Sequence, residues 1–413
     1  MRVLHTADWH LGQRFCQEER TEEHRYFLFE QLLPLIRAEQ VEALIVAGDV
    51  FDTGSPSNAA LDLYYSFLAT LRDSPCRHVV VVGGNHDSPA TLQAPQQALR
   101  HLGVTVVADV PDDAAEQLII LTDAAGQPAL VVVAVPYLRE RHLGLNTAGK
   151  TLDDIAAQIR HGIARHYSEL AARAAPHRAA GLPVLATGHL FAAGLARTEG
   201  MRDIQVGNLG QISADCFSGT FDYVALGHIH KPQRVGGQNH IRYSGSPIPL
   251  AFDEVDDVRR VVLLTFGAAP GVPVIEEKPL VLKRRLLRES GTPAVIAQQL
   301  REFAAAADEL PAWFAAEVSD WDGLTALAGT ALIRAAELER AADLRVLRIG
   351  QPATARAATL TEAAAQGRHL RDLTETEVFE ELLKQKNLAP EPADALRQTF
   401  RELLTWHHER ASA

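Results

Sequence analysis

Short apolar runs, each followed by a polar, glycine-containing stretch, recur along the first 230 residues. Runs at residues 3–4, 43–47, 79–82, 131–135, 184–186 and 224–226 are rich in β-formers. Residues 21–40 and 57–73 have helical spacing instead. In the second, Leu61, Tyr64, Tyr65 and Leu68 recur on one face behind a Ser57 cap, which reads the two tyrosines as core packing. Residues 151–175 predict a long helix set between strands. Strand–helix alternation of this kind predicts an α/β sandwich. After Arg242, three β-like runs separated by Gly/Pro turns carry the domain to about residue 280.

The pattern then changes. Residues 293–309 and 325–343 are Ala-rich helical stretches, while 313–318 and 344–349 are strand-like, so 281–351 reads as a small α/β domain. Residues 352–373 are a polar, Ala-rich linker. Within 374–413, helices at 374–387 and 393–409 flank Pro390 and Pro392. Val378, Phe379, Leu382 and Leu383 line one helix; Leu396, Phe400, Leu403 and Leu404 line the other. A hairpin this small cannot bury such faces by itself, so it docks either on its own domain or on a partner helix.

Composition narrows the classes. The 413 residues carry 40 Lys+Arg against 52 Asp+Glu, a net charge of −12, which counts against a protein that holds nucleic acid by bulk positive charge. No basic stretch followed by a long apolar run occurs near Met1, and no apolar run approaches the roughly 18 residues of a spanning helix, so neither a signal peptide nor a membrane span is expected. Cys16, Cys76 and Cys216 are odd in number and scattered, which disfavours a disulfide scaffold or a structural zinc site and fits a reducing cytoplasm. Histidine is the informative residue: 14 of the 17 lie before residue 241.

Five of the apolar runs deliver ligand-type residues just past their ends. They lead into Asp8-Trp9-His10, Gly48-Asp49-Val50-Phe51-Asp52, Gly83-Gly84-Asn85-His86-Asp87, Gly188-His189 and Gly227-His228-Ile229-His230. Sites in open α/β sheets form at the carboxyl ends of strands, so the five deliveries can converge. Asp8 and His10 are two apart, as are His228 and His230, and in extended chain each pair points one way. Taken singly, a histidine here would be a structural residue, Gly-Asp a turn and Asn-His-Asp an Asx-turn. Repetition at five matching positions argues for a shared role. Asp8, His10, Asp49, Asn85, His189, His228 and His230 are too many donors for one ion and suit two divalent cations about 3.5–4 Å apart with a bridging carboxylate. A thiolate-free Asp/Asn/His set favours Mn²⁺, with Fe²⁺, Zn²⁺ or Mg²⁺ as alternatives. His5, inside the first strand, reads as a core residue or a support to the site.

These segments resemble the motif set of the calcineurin-like binuclear metallophosphoesterases over about residues 1–280. Within that superfamily, Leu4–Gln13, Ala47–Pro56 and Tyr243–Leu250 are similar to the nuclease subunits of bacterial SbcCD complexes. The resemblance implies a two-sheet sandwich flanked by helices (1–280, the nuclease domain), a small α/β capping domain that contacts DNA (281–351), a linker (352–373), and a helical hairpin (374–413) that grips an SMC-like ATPase, SbcC. It implies that Asp8, His10 and His230 hold one metal, Asn85, His189 and His228 the other, and that Asp49 bridges. His86 would protonate the leaving oxygen or stabilise charge, with a purely supporting role as the alternative. Asp52 stands where archaeal and eukaryotic relatives carry His; either it acts directly, or it orients His86 or a ligand. Lys283, Arg284 and Arg285, with Arg288 nearby, are candidate DNA contacts, as are Arg139, Arg141 and His142. By the same resemblance, ATP would bind the partner. The implied activity is an ATP-dependent double-strand exonuclease and hairpin or single-strand endonuclease in DNA repair, recombination and replication, acting on DNA ends as a homodimer within a heterotetramer. The rival readings are a stand-alone nucleotide phosphodiesterase and a non-catalytic DNA-end scaffold.

Overall fold

The computed structural model describes residues 1–145, 149–191, 212–217, 219–306, 309–319 and 323–351, together with Arg397 and Phe400. Met1–Ile349 and Gly350–Ala413 are separate compact units. The linker and helical pair read at 352–413 lie outside the described residues, those two apart.

In chain order the strands used below are β1 (Arg2–Thr6), β2 (Ala43–Ala47), β3 (His78–Val82), β4 (Val104–Val107), β5 (Leu118–Thr122), β6 (Pro128–Val133), β7 (Val184–His189), β8 (Tyr223–Gly227), β9 (Gln233–Arg234), β10 (Ile241–Tyr243), β11 (Arg260–Thr265), β12 (Val274–Pro279), β13 (Arg284–Gly291), β14 (Leu310–Val318) and β15 (Leu344–Gly350). They form two six-stranded sheets, ordered β12-β11-β1-β2-β3-β4 and β9-β10-β8-β7-β6-β5, and a three-stranded sheet β13-β14-β15.

Period-two alternation explains the stacking. On β2, Ala43 and Ile45 face the other large sheet, where they meet Leu185, Tyr223 and Ala225 in a shared core. Leu44 and Val46 face outward, onto Phe27, Phe67 and Leu68 of the covering helices. The second sheet repeats the arrangement, with Val224 and Leu226 turned towards Ile163, Tyr167 and Leu170 of the helix Leu152–Ala179. Both faces of these strands are therefore buried, which is why they read as unbroken apolar runs.

The predicted helix at 57–73 spans Asn58–Leu71, and the Ser57 hydroxyl accepts from Ala60 N. Tyr64 is fully buried in the core beside it. The segment predicted as one helix at 21–40 is helical from Thr21 to Ala38, but Tyr26–Leu32 is π-helical. Pro34 lies just beyond; its ring crowds the carbonyl four residues back and it has no N–H to return, so a widened turn accommodates it. The first stretch of the small domain differs from expectation too: Arg284–Gly291 is a strand, and the following helix ends at Glu302. β4 and β5 had no counterpart in the pattern.

β1, β2 and β3 run parallel, with Val3 opposite Ala43 and Ala47 opposite Val82. β7 and β8 run parallel as well, with His189 opposite Gly227. The carboxyl ends of these five strands meet at one edge of the sandwich. There a Cβ on Gly227 would strike the Ala47 carbonyl.

Candidate metal centre

The loops leaving β1, β2 and β3 are laced together by main-chain and carboxylate hydrogen bonds. Asp8 N donates to Gly48 O (3.0 Å), His10 N to Asp49 O (3.0 Å) and Leu11 N to Val50 O (2.9 Å). Asp87 ties the third loop to the second: its carboxylate accepts from Gly84 N, Val50 N and Phe51 N at 2.9–3.1 Å. Burial and the nearby Asp49 push Asp87 up to about 6. Asp8, His10, Asp49 and His228 all adopt positive φ, between 46° and 96°. Backbone held in this way by non-glycine residues costs of order 1–3 kcal/mol each and is typical of functional sites.

These loops, with the ends of β7 and β8, gather the seven predicted donors. Asp8, His10 and His230 present ligand-type atoms all within 4.8 Å of one another. Asp8, Asp49 and His189 form a second such group, and His10, Asp49 and His86 a third. Asn85 Oδ1 lies 2.9 Å from both His189 Nε2 and His228 Nδ1. Asp49 is central: its Oδ2 is 3.2 Å from His189 Nε2 and 3.5 Å from His10 Nε2, while Oδ1 accepts from His86 N at 2.9 Å. Asp8 Oδ1 accepts from His228 N at 2.8 Å.

Three histidines are oriented from behind. His10 Nδ1 faces Asp52 Oδ1 (3.2 Å), His189 Nδ1 faces the Ala47 carbonyl (3.0 Å) and His230 Nδ1 faces Glu254 Oε1 (2.9 Å). Carbonyls and carboxylates only accept, so each Nδ1 donates and each Nε2 turns into the cluster. His228 is reversed, with Nδ1 towards Asn85.

The site's field follows from this crowding. Burial pushes the Asp49 carboxyl up, but His189, then His10 and His86, outweigh it and hold it far below the ordinary carboxylate range. Burial lowers His189, yet Asp49 and Asp8 outweigh that and raise it to about 9. Burial, then His189, depress His228 to about 3. Positive charge is thus favoured between Asp8 and Asp49. Asp8 Oδ2 and His10 Nε2 are buried without a hydrogen-bond partner. Such orphaned lone pairs are costly unless something electropositive meets them. Oxygen and imidazole donors without thiolate, converging around a shared carboxylate, fit a pair of divalent cations.

Asp52 and His86 sit at the rim of this cluster. Asp52 does two things: its carboxylate receives His10 Nδ1, and its main-chain oxygen receives His86 Nδ1 at 2.8 Å. The half-buried His86 ring packs edge-on to His10, 4.7 Å between centroids. Burial lowers the His86 pKa, with Asp49 opposing.

The basic residues read as candidate DNA contacts are engaged by neighbouring groups. Arg284 stacks 4.1 Å over Trp313 and pairs with Glu23 at 2.8 Å. Arg285 pairs with Glu309 at 2.7 Å, and the Lys283 ammonium lies 5.0 Å over the Tyr26 ring. Arg288 reaches Asp256 at 3.9 Å. Arg284 and Lys283 thereby join the small domain to the sandwich. Arg139 donates to Asp87 O at 3.2 Å, and Arg141 is ion-paired with Asp109. His5 is buried inside the sheet, against the Tyr223 hydroxyl and the Leu226 carbonyl.

Glu254 and Arg259 escaped the sequence reading although both are buried beside His230. An acidic residue closing the apolar stretch Ile248–Phe252 was the one local hint.

A family model described as calcineurin-like phosphoesterase matches residues 1–232, and one described as type 5 capsule protein repressor C-terminal domain matches residues 282–387. The chain is 39% identical over 320 residues to the SbcD subunit of the SbcCD nuclease of Escherichia coli K12, covering 77% of this chain and 78% of that one. It is 40% identical over 294 residues to the protein of the same name from Rhodobacter capsulatus, covering 68% and 71%. With the Bacillus subtilis protein of that name it shares 32% over 302 residues, 71% of each. Both family models and the identity along most of the relatives' length place the chain in the calcineurin-like phosphoesterase family, among the SbcD-type subunits.

Proposed function

We propose that this chain is the nuclease subunit of an SbcCD-like complex, cleaving DNA phosphodiesters at a two-cation centre. The observation that carries the reading is the convergence of Asp8, His10, Asp49, Asn85, His189, His228 and His230, with Asp8 Oδ2 and His10 Nε2 buried and unsatisfied. Asp8, His10 and His230 hold one cation and Asn85, His189 and His228 the other, with Asp49 between them. Mn²⁺ suits this donor set best. Bound cations supply a water of lowered pKa and neutralise charge on the phosphate oxygens.

The remaining chemistry belongs to the side chains. Asp52, Ala47 O and Glu254 hold the Nδ1 protons of His10, His189 and His230, so Nε2 is the nitrogen each ring would offer to a cation, losing any proton it carries as the cation binds. His86 keeps its Nδ1 proton on the Asp52 carbonyl, so Nε2 is the atom available to the substrate. Partly open to solvent, Nε2 takes its proton from water, and as the P–O bond breaks that proton passes to the leaving oxygen, returning the ring to its neutral form. In this arrangement Asp52 positions His10 and His86.

The partner is an SMC-like ATPase of the SbcC type, gripped by the helical pair at 374–387 and 393–409, and the assembly is a heterotetramer with two copies of this chain. The SbcCD names of the relatives support a complex with such a partner. Its three free cysteines suit a reducing cytoplasm. ATP-dependent exonuclease action on duplex ends and endonuclease action on hairpins follow from the same reading.

The test is Mn²⁺-dependent cleavage of a hairpin DNA by the full chain with its ATPase partner. His86→Ala is expected to lower the rate by about 10²–10⁴-fold with Mn²⁺ affinity unchanged. Undiminished cutting removes His86 from the mechanism. Rapid hydrolysis of free nucleotides with DNA left intact would replace the nuclease by a nucleotide phosphodiesterase; DNA binding without any cutting would make it a scaffold.

A further inference from the structure

His230 is held at both ends by a buried ion pair. Glu254, with no exposed surface, accepts from His230 Nδ1 (2.9 Å) through Oε1 and from Leu250 N (2.9 Å) through Oε2. Arg259 pairs with Oε2 at 3.2 Å. The same guanidinium donates to the His230 carbonyl (2.9 Å), to Ser246 Oγ (2.9 Å) and to the Glu254 carbonyl (2.6 Å). Backbone and ring of His230 are therefore fixed by one pair of charges.

Glu254 stands on a single 3₁₀ turn, Phe252–Glu254, whose other end faces away from the centre. Phe252 is 2% exposed and belongs to an apolar cluster with Phe15, Leu286, Trp313 and Ala315. Its ring meets Phe15 edge-on at 4.8 Å, and Phe15 stacks on Trp313 of β14 at 5.7 Å. The Arg348 guanidinium of β15 lies 5.3 Å over the Phe252 ring. One short turn thus carries a side chain seated in the three-stranded domain and, two residues on, the carboxylate that aims His230.

We propose that Glu254 is a positioning residue for His230 and that the Phe252–Glu254 turn couples seating of the three-stranded domain to cation affinity at the Asp8–His10–His230 position. The inference rests on His230 being a ligand. A tight 3₁₀ turn has little slack, so displacement of Phe252 is passed to the Glu254 carboxylate rather than absorbed. Partners of this kind, one shell behind a ligand, alter metal affinity by about 10–100-fold when removed.

The experiment is calorimetric titration of Mn²⁺ into the metal-stripped full chain, comparing the unaltered protein with Glu254→Ala, Glu254→Gln, Phe252→Ala and His230→Ala. Glu254→Ala is expected to weaken one of two binding events by roughly 10–100-fold and leave the other intact. Glu254→Gln, which still offers an oxygen to Nδ1–H, restores part of that loss. Phe252→Ala, which touches no donor, weakens the same event by a smaller factor. Should Glu254→Ala not fold, because it leaves Arg259 buried without its carboxylate, Glu254→Gln and Phe252→Ala read the same event. Wild-type affinities in the Glu254 variants overturn the positioning role, and a lowered melting temperature with wild-type affinities in Phe252→Ala overturns the coupling. His230→Ala separates the premise: if it leaves both events unchanged, the assignment of His230 as a ligand fails. If it removes one while the Glu254 variants do not, the inference alone fails.

Discussion

At positions 48 and 84 a single hydrogen in place of a methyl decides whether the centre can close. Gly48 sits at φ +91°, and a Cβ there would overlap the His189 ring. A Cβ on Gly84 would overlap both the Asp49 carboxylate and its backbone nitrogen, neither of which is the free end of a flexible chain. Gly84→Ala is therefore expected to displace Asp49, costing about 1–3 kcal/mol in folding stability and at least tenfold in Mn²⁺ affinity. Urea denaturation with Mn²⁺ titration checks this, and unchanged affinity would mean that Asp49 is not central. That Asp8, His10, Asp49, Asn85, His189, His228 and His230 come together was legible from residue type and position. Of the groups that face them, Asp52 was legible as a candidate for orienting a neighbour, but Ala47 O and Glu254 are recognised only by which histidine nitrogen they face, and residue order does not encode that. Arg284 illustrates the converse. It sits in a basic run suggestive of a DNA-facing edge, whereas the fold uses its guanidinium between Trp313 and Glu23.

Among the elements, apolar runs buried on both faces were the readable ones, since burial on two sides leaves no polar interruption. The helix Asn58–Leu71 was equally clear, its apolar face and its cap agreeing. Ser57→Ala is expected to cost about 1 kcal/mol by removing the hydroxyl that accepts from Ala60 N, without altering Mn²⁺ binding. A chemical-denaturation midpoint beside a Mn²⁺ titration tests both halves, and a change in affinity would tie the cap to the centre. β5 was missed because it is an edge strand with Ile120 exposed. β13 was missed because its first residues are arginines. Its pairing with β14 and the aromatic surface beneath it, not its composition, make it a strand.

Over the whole molecule, the charge of −12 weakens any bulk attraction for DNA, while Asp8 and Asp49 are buried among the clustered histidines. Burial brings a pH dependence as well. His5 and His24 are both fully buried, and burial lowers each to about 3 from 6.5. Between those values the unfolded chain binds protons that the folded one refuses. Stability is thus complete above pH 6.5 and falls on acidification, by up to about 1.4 kcal/mol per pH unit for each histidine. His5→Gln is expected to flatten this slope between pH 6.5 and 4.5, as read from denaturation midpoints of the metal-stripped protein. An unchanged slope would place the acid sensitivity elsewhere. By itself the sequence determined the alternation of strands and helices, the five loops that carry the clustered Asp, Asn and His residues, and the family, because these rest on local periodicity and residue type. The tertiary structure decided which carboxylate lies at the centre of the cluster, which histidine nitrogen faces inward, and how the three-stranded domain reaches the centre through Phe252 and Glu254. Those depend on contacts between residues far apart in the chain, such as His228 N on Asp8, 220 positions away, whose geometry only the folded chain sets.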